Sequence, residues 1–106
     1  MKIDIDTGED VFEAELADSF LKKFVGMRFR RDGKMLFSFV ERKPFIDMFF
    51  VPENLQLIFI DGDKKVSEVI DAKPWRIYRP SKPAKYLLES FETLDLEKGD
   101  EIDFQI

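Results

Sequence analysis

Residues 35–60, MLFSFVERKPFIDMFFVPENLQLIFI, decide the fold. This stretch contains three apolar runs, at 35–40, 45–51 and 55–60, and the segments between them carry Pro44 and Pro52. Short apolar runs that are rich in Phe and Ile and interrupted by proline are typical of strands with both faces covered. The centre of the chain is therefore predicted to form three consecutive short strands.

The flanking sequence predicts further short strands. Around Ile3 and Ile5, and again from Phe12 to Leu16, apolar residues alternate with charged ones, as they do in a half-buried hairpin. The other predicted strands are 66–72, 86–91 and 101–106, with turns at 7–10, 61–64 and 99–100. Residues 73–83 carry three prolines and predict an extended, irregular loop.

One helix is expected directly after the first hairpin. Its apolar residues recur at helical spacing between positions 20 and 25, Asp18 is the expected N-cap, and Gly26 supplies a left-handed end. The pattern predicts one domain over residues 1–106, mainly β with one short α-helix. Because many short strands in a small chain leave exposed edges unless they close up, we expect a small antiparallel or mixed β-barrel.

The composition excludes several kinds of site. The chain has 17 Lys and Arg residues against 22 Asp and Glu, for a net charge of −5, and it contains no Cys and no His. Zinc, haem and iron–sulfur ligand sets and the Ser-His-Asp triad need a thiolate or an imidazole. We therefore expect no metal and no cofactor, and a binding module rather than an enzyme.

The termini and the amide content suggest where the protein works. The acidic, alternating N-terminus is unlike a signal peptide, and no apolar run approaches the ~18 residues of a membrane span. We expect a cytoplasmic protein with no membrane contact. Charged residues make up 37% of the chain and amides are few, which is typical of thermophiles.

A series of short motifs connects the chain to a known family. The motifs are Gly26-Met27-Arg28-Phe29-Arg30, Met35-Leu36-Phe37 with Phe39, Ile46 with Met48-Phe49-Phe50, Phe59-Ile60-Asp61, Pro74-Trp75, Leu88-Glu89 and Gly99-Asp100. In order and spacing they resemble the archaeal branch of the family called domain of unknown function 192, from Phe12 to Phe104. The resemblance implies a small, mostly β, barrel-like domain with a short helix after its second strand, and it implies no activity. Asp47 stands where archaeal relatives usually carry His, and Asn54 and Gln56 replace their usual Pro and Asp.

Charge is strongly segregated along the chain. Residues 21–43 contain eight Lys or Arg and two Asp or Glu, and residues 73–85 contain five Lys or Arg and no acid. If these segments converge, their bases and aromatic rings would suit RNA, single-stranded DNA or another anionic partner. The candidate residues are Arg28, Arg30, Arg31, Trp75, Arg76, Arg79 and Lys82. The alternative is that these bases form surface ion pairs with the acidic strands, and that Trp75 closes the core instead of binding a ligand.

Two carboxylates offer a different site. Asp47 interrupts an apolar run and Glu89 follows a Leu pair, so each is either outward-facing or held in a polar pocket. Together in a pocket at the barrel mouth, they could bind a small molecule or act as a general acid and base. Asp61 and Asp63 could hold a cation, but Asp-Gly between two apolar runs is the strongest short hairpin signal and needs no metal. A further alternative is an oligomer that forms through edge strands.

Overall fold

The computed structural model describes the backbone of residues 1–106 and all side chains except those of Phe20, Leu21 and Phe24. Its strands are β1 (Lys2–Asp6), β2 (Val11–Leu16), β3 (Lys34–Arg42), β4 (Ile46–Asp47), β5 (Leu55–Ile60), β6 (Val66–Ala72), β7 (Ile77–Tyr78) and β8 (Ala84–Ser90). A helical segment, α1 (Phe20–Val25), follows β2. Within the described chain, no helix is long and apolar enough to cross a membrane.

Six strands form a mixed sheet in the order β1-β2-β3-β8-β5-β6, and β4 pairs with β7 in a separate ribbon. Strands β2 and β3 are parallel, whereas the other neighbours in the sheet are antiparallel. A parallel pair needs a crossover connection, and α1 lies in the connection between these two strands. In this strand order, β8 lies inside the sheet, between β3 and β5.

The predicted closed barrel is wrong, because the sheet remains open with β1 and β6 at its edges. The C-terminal segment, predicted as a strand over 101–106, forms only isolated bridges. Asp103 exchanges two backbone hydrogen bonds of 2.8 Å with Asp6 at the end of β1, and the Ile102 amide donates to the Lys64 carbonyl beside β6. One short segment thus connects the ends of both edge strands, which protects them without a continuous ladder.

The strand predicted over 45–51 is also largely wrong, since only Ile46–Asp47 is extended. The Asp47 carboxylate accepts a hydrogen bond from the Phe49 amide at 3.2 Å, and the Val51 amide donates to the Met48 carbonyl at 3.3 Å. Phe50 then takes a positive φ of 62°. A side chain that bonds its own backbone two residues on offers the chain a turn in place of a ladder.

The hairpins predicted on either side of this region are confirmed. Strands β1 and β2 pair antiparallel around the turn at 7–10, and β5 pairs antiparallel with β6 around the turn at 61–64. Asp61 accepts hydrogen bonds from the amides of Asp63 and Lys65 at 2.9 and 3.1 Å, so its carboxylate caps that turn.

The first turn of α1 begins one residue later than predicted. The Ser19 hydroxyl, and not Asp18, accepts the hydrogen bond from the Lys22 amide, at 3.1 Å. Asp18 instead forms an i,i+4 ion pair with the Lys22 side chain. The apolar face predicted for this segment, at Phe20, Leu21 and Phe24, lies outside the described residues.

Both faces of the sheet are covered. Alternate residues of β3, β5 and β8 point to opposite faces, and each face carries its own buried cluster. Ile102 and Phe104 cover the first face and are buried there. Met27, Met48 and Val51 belong to the cluster on the second face, and all three come from irregular segments.

Candidate functional site

A buried carboxyl group lies on the second face of the sheet. Glu89 is near the end of β8, and its direct neighbours across the sheet are Met35 on β3 and Leu57 on β5. Only 6% of the residue is exposed. A glutamate is almost never this buried without an ionic partner or a functional role, so this position is the natural starting point for a site.

The surroundings of Glu89 favour its neutral form. Burial raises the pKa of Glu89 to about 8, with the positive charge of Arg28 acting against this shift and the negative charge of Asp47 adding to it. Burial dominates because the ionised form would lose its hydration in an apolar layer. At neutral pH the group is a protonated carboxylic acid, which can donate a hydrogen bond.

Arg28 and Asp47 form an ion pair beside Glu89. Arg28 comes from the loop after α1 and Asp47 from β4, so the pair joins two irregular segments that cover the sheet. Their side chains are 21% and 36% exposed, so the pair is only partly open to solvent. Asp47 is thus ion-paired and only partly exposed.

A cavity of about 250 Å³ opens beside Arg28, Asp47 and Glu89. Its wall is mixed, because apolar side chains such as Phe37, Leu55 and Leu87 lie next to polar and charged ones. Exposed Lys23 and Arg42 also border it. The remaining lining residues are Gly26, Met27, Ser38, Phe39, Pro44, Phe45, Ile46, Met48 and Val51. A cavity in which apolar side chains and a few polar groups converge has the usual character of a small-molecule site.

The structure brings together the two carboxylates that the sequence singled out. Asp47 and Glu89 border the same cavity, and the charge of Asp47 acts on the titration of Glu89. What the sequence missed is the part played by Arg28, which it assigned to a basic surface that binds an anionic partner. The place of Arg28 beside Asp47 could not be read from the spacing, because 18 residues, including the whole of β3, separate the two positions.

The first basic segment is largely neutralised. Arg28 pairs with Asp47, Arg30 pairs with Glu15 on β2, and Arg31 lies 3.0 Å from Glu53. These contacts agree with the alternative in which the bases of this segment form ion pairs with nearby acids.

The second basic segment has fewer acidic contacts. The Arg79 guanidinium lies over the Phe45 ring at 4.6 Å and donates to the Lys43 carbonyl at 3.2 Å. Arg76 and Lys82 are exposed, and neither forms a salt bridge with any described side chain. The two basic segments thus differ, since five of the eight bases at 21–43 form salt bridges with described side chains, whereas none of the five at 73–85 does.

Aromatic side chains of both segments meet at the surface. Trp75 does not close the core, since it is 59% exposed. Its ring lies 4.9 Å from that of Phe50 and 5.9 Å from that of Phe49, and the rings of Phe50 and Phe29 are 5.3 Å apart. We call these four residues the aromatic cluster. The sequence placed Phe49 and Phe50 in a core strand, and the only signals against that placement were Asp47 and Pro52 on either side.

The motifs that carry this architecture match a known family. Residues 2–104 match the model of DUF192, described as an uncharacterised ACR. The chain belongs to the DUF192 family. The family resemblance inferred from the motifs is confirmed, and the family name itself assigns no function.

The relatives are archaeal proteins of the same kind. The chain is 31% identical to a UPF0127 protein of Pyrococcus furiosus, over 96% of each chain. It is 34% identical to a UPF0127 protein of Pyrococcus abyssi, over 87% of this chain and 86% of the other. The sequence relatives therefore extend the family to hyperthermophilic archaea without naming a ligand.

Two solved structures share the fold. A protein of Sinorhizobium meliloti, described provisionally as a transcription regulator, matches with a TM-score of 0.79 and 23% identity, over 97% of this chain and 92% of that one. A protein of unknown function from Novosphingobium aromaticivorans matches with a TM-score of 0.78 and 19% identity, over 97% and 84%. At these identities the likeness concerns the fold alone.

Proposed function

We propose that this DUF192 protein binds a small apolar carboxylate in the cavity beside Glu89. The observation that carries the proposal is the state of Glu89: it is 6% exposed, borders the cavity, and forms no hydrogen bond with any described residue. Among the described residues, no fully buried side-chain nitrogen or oxygen lacks a hydrogen-bond partner, so the carboxyl group of Glu89 is open to the cavity. A ligand oxygen in the cavity can therefore accept a hydrogen bond from the protonated group.

The charges around the cavity favour an anionic head group. Arg28 and Asp47 offset each other, and Glu89 is neutral at pH 7, so Lys23 and Arg42 at the border leave the lining positive. A ligand carboxylate could accept a hydrogen bond from protonated Glu89, and such bonds to a charged acceptor are among the stronger ones. In this proposal, Glu89 donates a hydrogen bond that holds the ligand and takes no part in a reaction.

The size and the wall of the cavity limit the rest of the ligand. Because a water molecule occupies about 30 Å³ in the liquid, a cavity of about 250 Å³ has room for a ligand of roughly eight non-hydrogen atoms. The apolar wall at Phe37, Leu55 and Leu87 suits a ring or a short branched chain. Benzoate and cyclohexanecarboxylate are therefore suitable probes.

An anion-binding site at the surface around residues 28–31 has less support. Arg28, Arg30 and Arg31 are each already paired with a carboxylate, so an anion would have to displace an existing partner. The cavity, in contrast, offers a donor that has no partner among the described residues.

The test is a comparison of matched ligands by NMR. Benzoate and cyclohexanecarboxylate should shift the amide resonances of residues 87–90, and the uncharged amides of the same acids should bind more weakly. Affinity for the carboxylates should fall as the pH rises through about 8, because ionised Glu89 can no longer donate. In Glu89→Gln the side-chain amide still donates, so binding should persist and lose this pH dependence.

A control variant separates the site from the surface. Glu97→Gln changes an exposed glutamate away from the cavity and should leave binding unchanged. Glu89→Leu removes the donor, retains the fold, and should abolish carboxylate binding. The proposal is wrong if carboxylates shift only surface resonances, or if Glu89→Leu binds them as tightly as the wild type.

A further inference from the structure

The aromatic cluster is built on an unusual backbone. In the described chain four non-glycine residues have positive φ, and three of them belong to the cluster: Phe29 (62°), Phe50 (62°) and Trp75 (65°). Bulky side chains rarely adopt this conformation, because the side-chain carbon approaches the following carbonyl oxygen, at a cost of about 1–2 kcal/mol per residue. Such outliers concentrate at ligand-binding and catalytic sites.

Backbone hydrogen bonds hold the three strained positions together. The Phe29 amide donates to the Phe50 carbonyl at 2.8 Å, and the Trp75 amide donates to the Met48 carbonyl at 3.0 Å. The Tyr78 hydroxyl accepts from the Lys73 amide at 2.7 Å, which ties the loop that carries Trp75. The rings are therefore positioned by a fixed backbone and not by burial.

The strain places large rings in water. Phe29 is 76% exposed, Trp75 59% and Phe50 51%. Since folding gains little from rings at this exposure, the arrangement is better explained by something that covers them. Between Phe29, Phe50 and Trp75 lies a surface groove, which Arg31 and Pro52 also border.

The charges next to the cluster are predominantly positive. Lys73 and Arg76 flank Trp75 in sequence and are exposed, and neither forms a salt bridge with a described acidic side chain. Arg31 is 3.0 Å from Glu53, but both side chains are mostly exposed, at 72% and 53%. Exposed pairs of this kind contribute little free energy, so Arg31 can exchange its partner for a phosphate.

We propose that the aromatic cluster binds single-stranded nucleic acid. Bases would stack on Trp75 and Phe29, and the phosphates would contact Lys73, Arg76 and Arg31. Several adjacent exposed rings beside basic side chains suit this ligand, because a single strand presents both the flat faces of its nucleobases and regularly spaced negative charges. Duplex DNA hides its base faces, and a polyanion without bases makes no use of the rings. The groove shares Val51 with the cavity, but none of the rings or bases proposed to bind the strand lines the cavity, so this proposal does not rest on the proposed function.

The chain provides its own probe for this binding. Trp75 is the single tryptophan, so its fluorescence reports on the cluster alone. Titration with eight-nucleotide oligouridylate and oligothymidylate at low salt should quench the emission. With two or three phosphates contacted, the logarithm of the binding constant should fall against the logarithm of salt concentration with a slope of about −1.4 to −2.

Variants separate stacking from charge. Phe29→Asn removes a ring while tolerating positive φ, and it should weaken oligonucleotide binding by about tenfold. Arg76→Glu should weaken binding and reduce the salt slope. Phe45→Ala is the matched control, because Phe45 is exposed at 70% but lies outside the cluster, under Arg79. It should leave binding unchanged, and Phe29→Asn should leave carboxylate binding in the cavity unchanged.

Three results would overturn the proposal. The first is the absence of quenching at low salt. The second is equal affinity for duplex DNA or heparin with no effect of Phe29→Asn, which would indicate charge attraction alone. The third is a concentration-dependent dimer, detected by light scattering, that Phe29→Asn dissociates and the oligonucleotides do not affect. In that case a second copy of the chain would cover the cluster.

Discussion

Glu89→Gln should remove the contribution that this residue makes to the pH dependence of the free energy of unfolding. Glutamine has the shape of a protonated glutamate and does not ionise. In the folded wild type, burial raises the pKa of Glu89 from 4.5 to about 8. Between these two values the folded state retains a proton that the unfolded state has released, so the wild type loses stability as the pH rises.

The size of the effect follows from the shift. Each pH unit between 4.5 and 8 lowers the free energy of unfolding of the wild type by about 1.4 kcal/mol relative to the variant. The difference should be near its minimum at pH 4, reach about 3 kcal/mol at pH 7, and level off near 5 kcal/mol above pH 8. These values are large against the 5–15 kcal/mol that stabilise a typical domain.

Urea denaturation of both proteins at pH 4, 7 and 9 measures this difference. Glu92→Gln is the control with the opposite sign, because its contact with Lys34 lowers the pKa of Glu92. Removing that carboxylate should reduce stability above its ordinary pKa and have little effect below it. If Glu89→Gln and the wild type differ by the same amount at pH 4 and pH 9, then Glu89 ionises normally, and its role as a hydrogen-bond donor is refuted.

Three further substitutions test other parts of the structure. Asp47→Asn removes a negative charge that raises the pKa of Glu89. A carbon-13 NMR titration should therefore give a lower pKa for Glu89 than in the wild type. An unchanged or higher value would contradict the placement of both residues at one cavity. Ser19→Ala removes the acceptor for the Lys22 amide and should cost about 1 kcal/mol in thermal unfolding, whereas an unchanged melting temperature would show that the cap does not stabilise α1. Ile102→Ala empties a buried position between the edge strands and should cost about 2–4 kcal/mol in urea, and a loss below about 0.5 kcal/mol would mean that the C-terminal segment does not close this core.

Local patterns were sufficient where each strand pairs with its neighbour in sequence. The bounds of β5 and β6 coincide with the predicted runs 55–60 and 66–72, and the turn between them follows from Asp61-Gly62. Alternating side chains and turn residues act within a few positions, so they can be read in one dimension. The same holds for the family, because its motifs are a linear order of residues.

Local patterns failed where the same residues were compatible with both a strand and a turn. The run 45–51 is apolar enough for a strand, yet the Asp47 side chain bonds the Phe49 amide and turns the chain, so Phe49 and Phe50 reach the surface. The expected barrel failed for a related reason. Closure depends on whether the two edge strands, β1 and β6, pair with each other, and the C-terminal segment connects their ends by isolated bridges instead.

By itself, the sequence of this DUF192 protein determined the β character, the two hairpins and the family, because these depend on periodicity and on residues close together in the chain. Only the tertiary structure decided that Arg28, Asp47 and Glu89 border one cavity, and that Phe29, Phe49, Phe50 and Trp75 form one exposed cluster. Burial and charge proximity depend on distances between segments far apart in sequence. The pKa of Glu89 is therefore a property of the folded sheet and its covering loops.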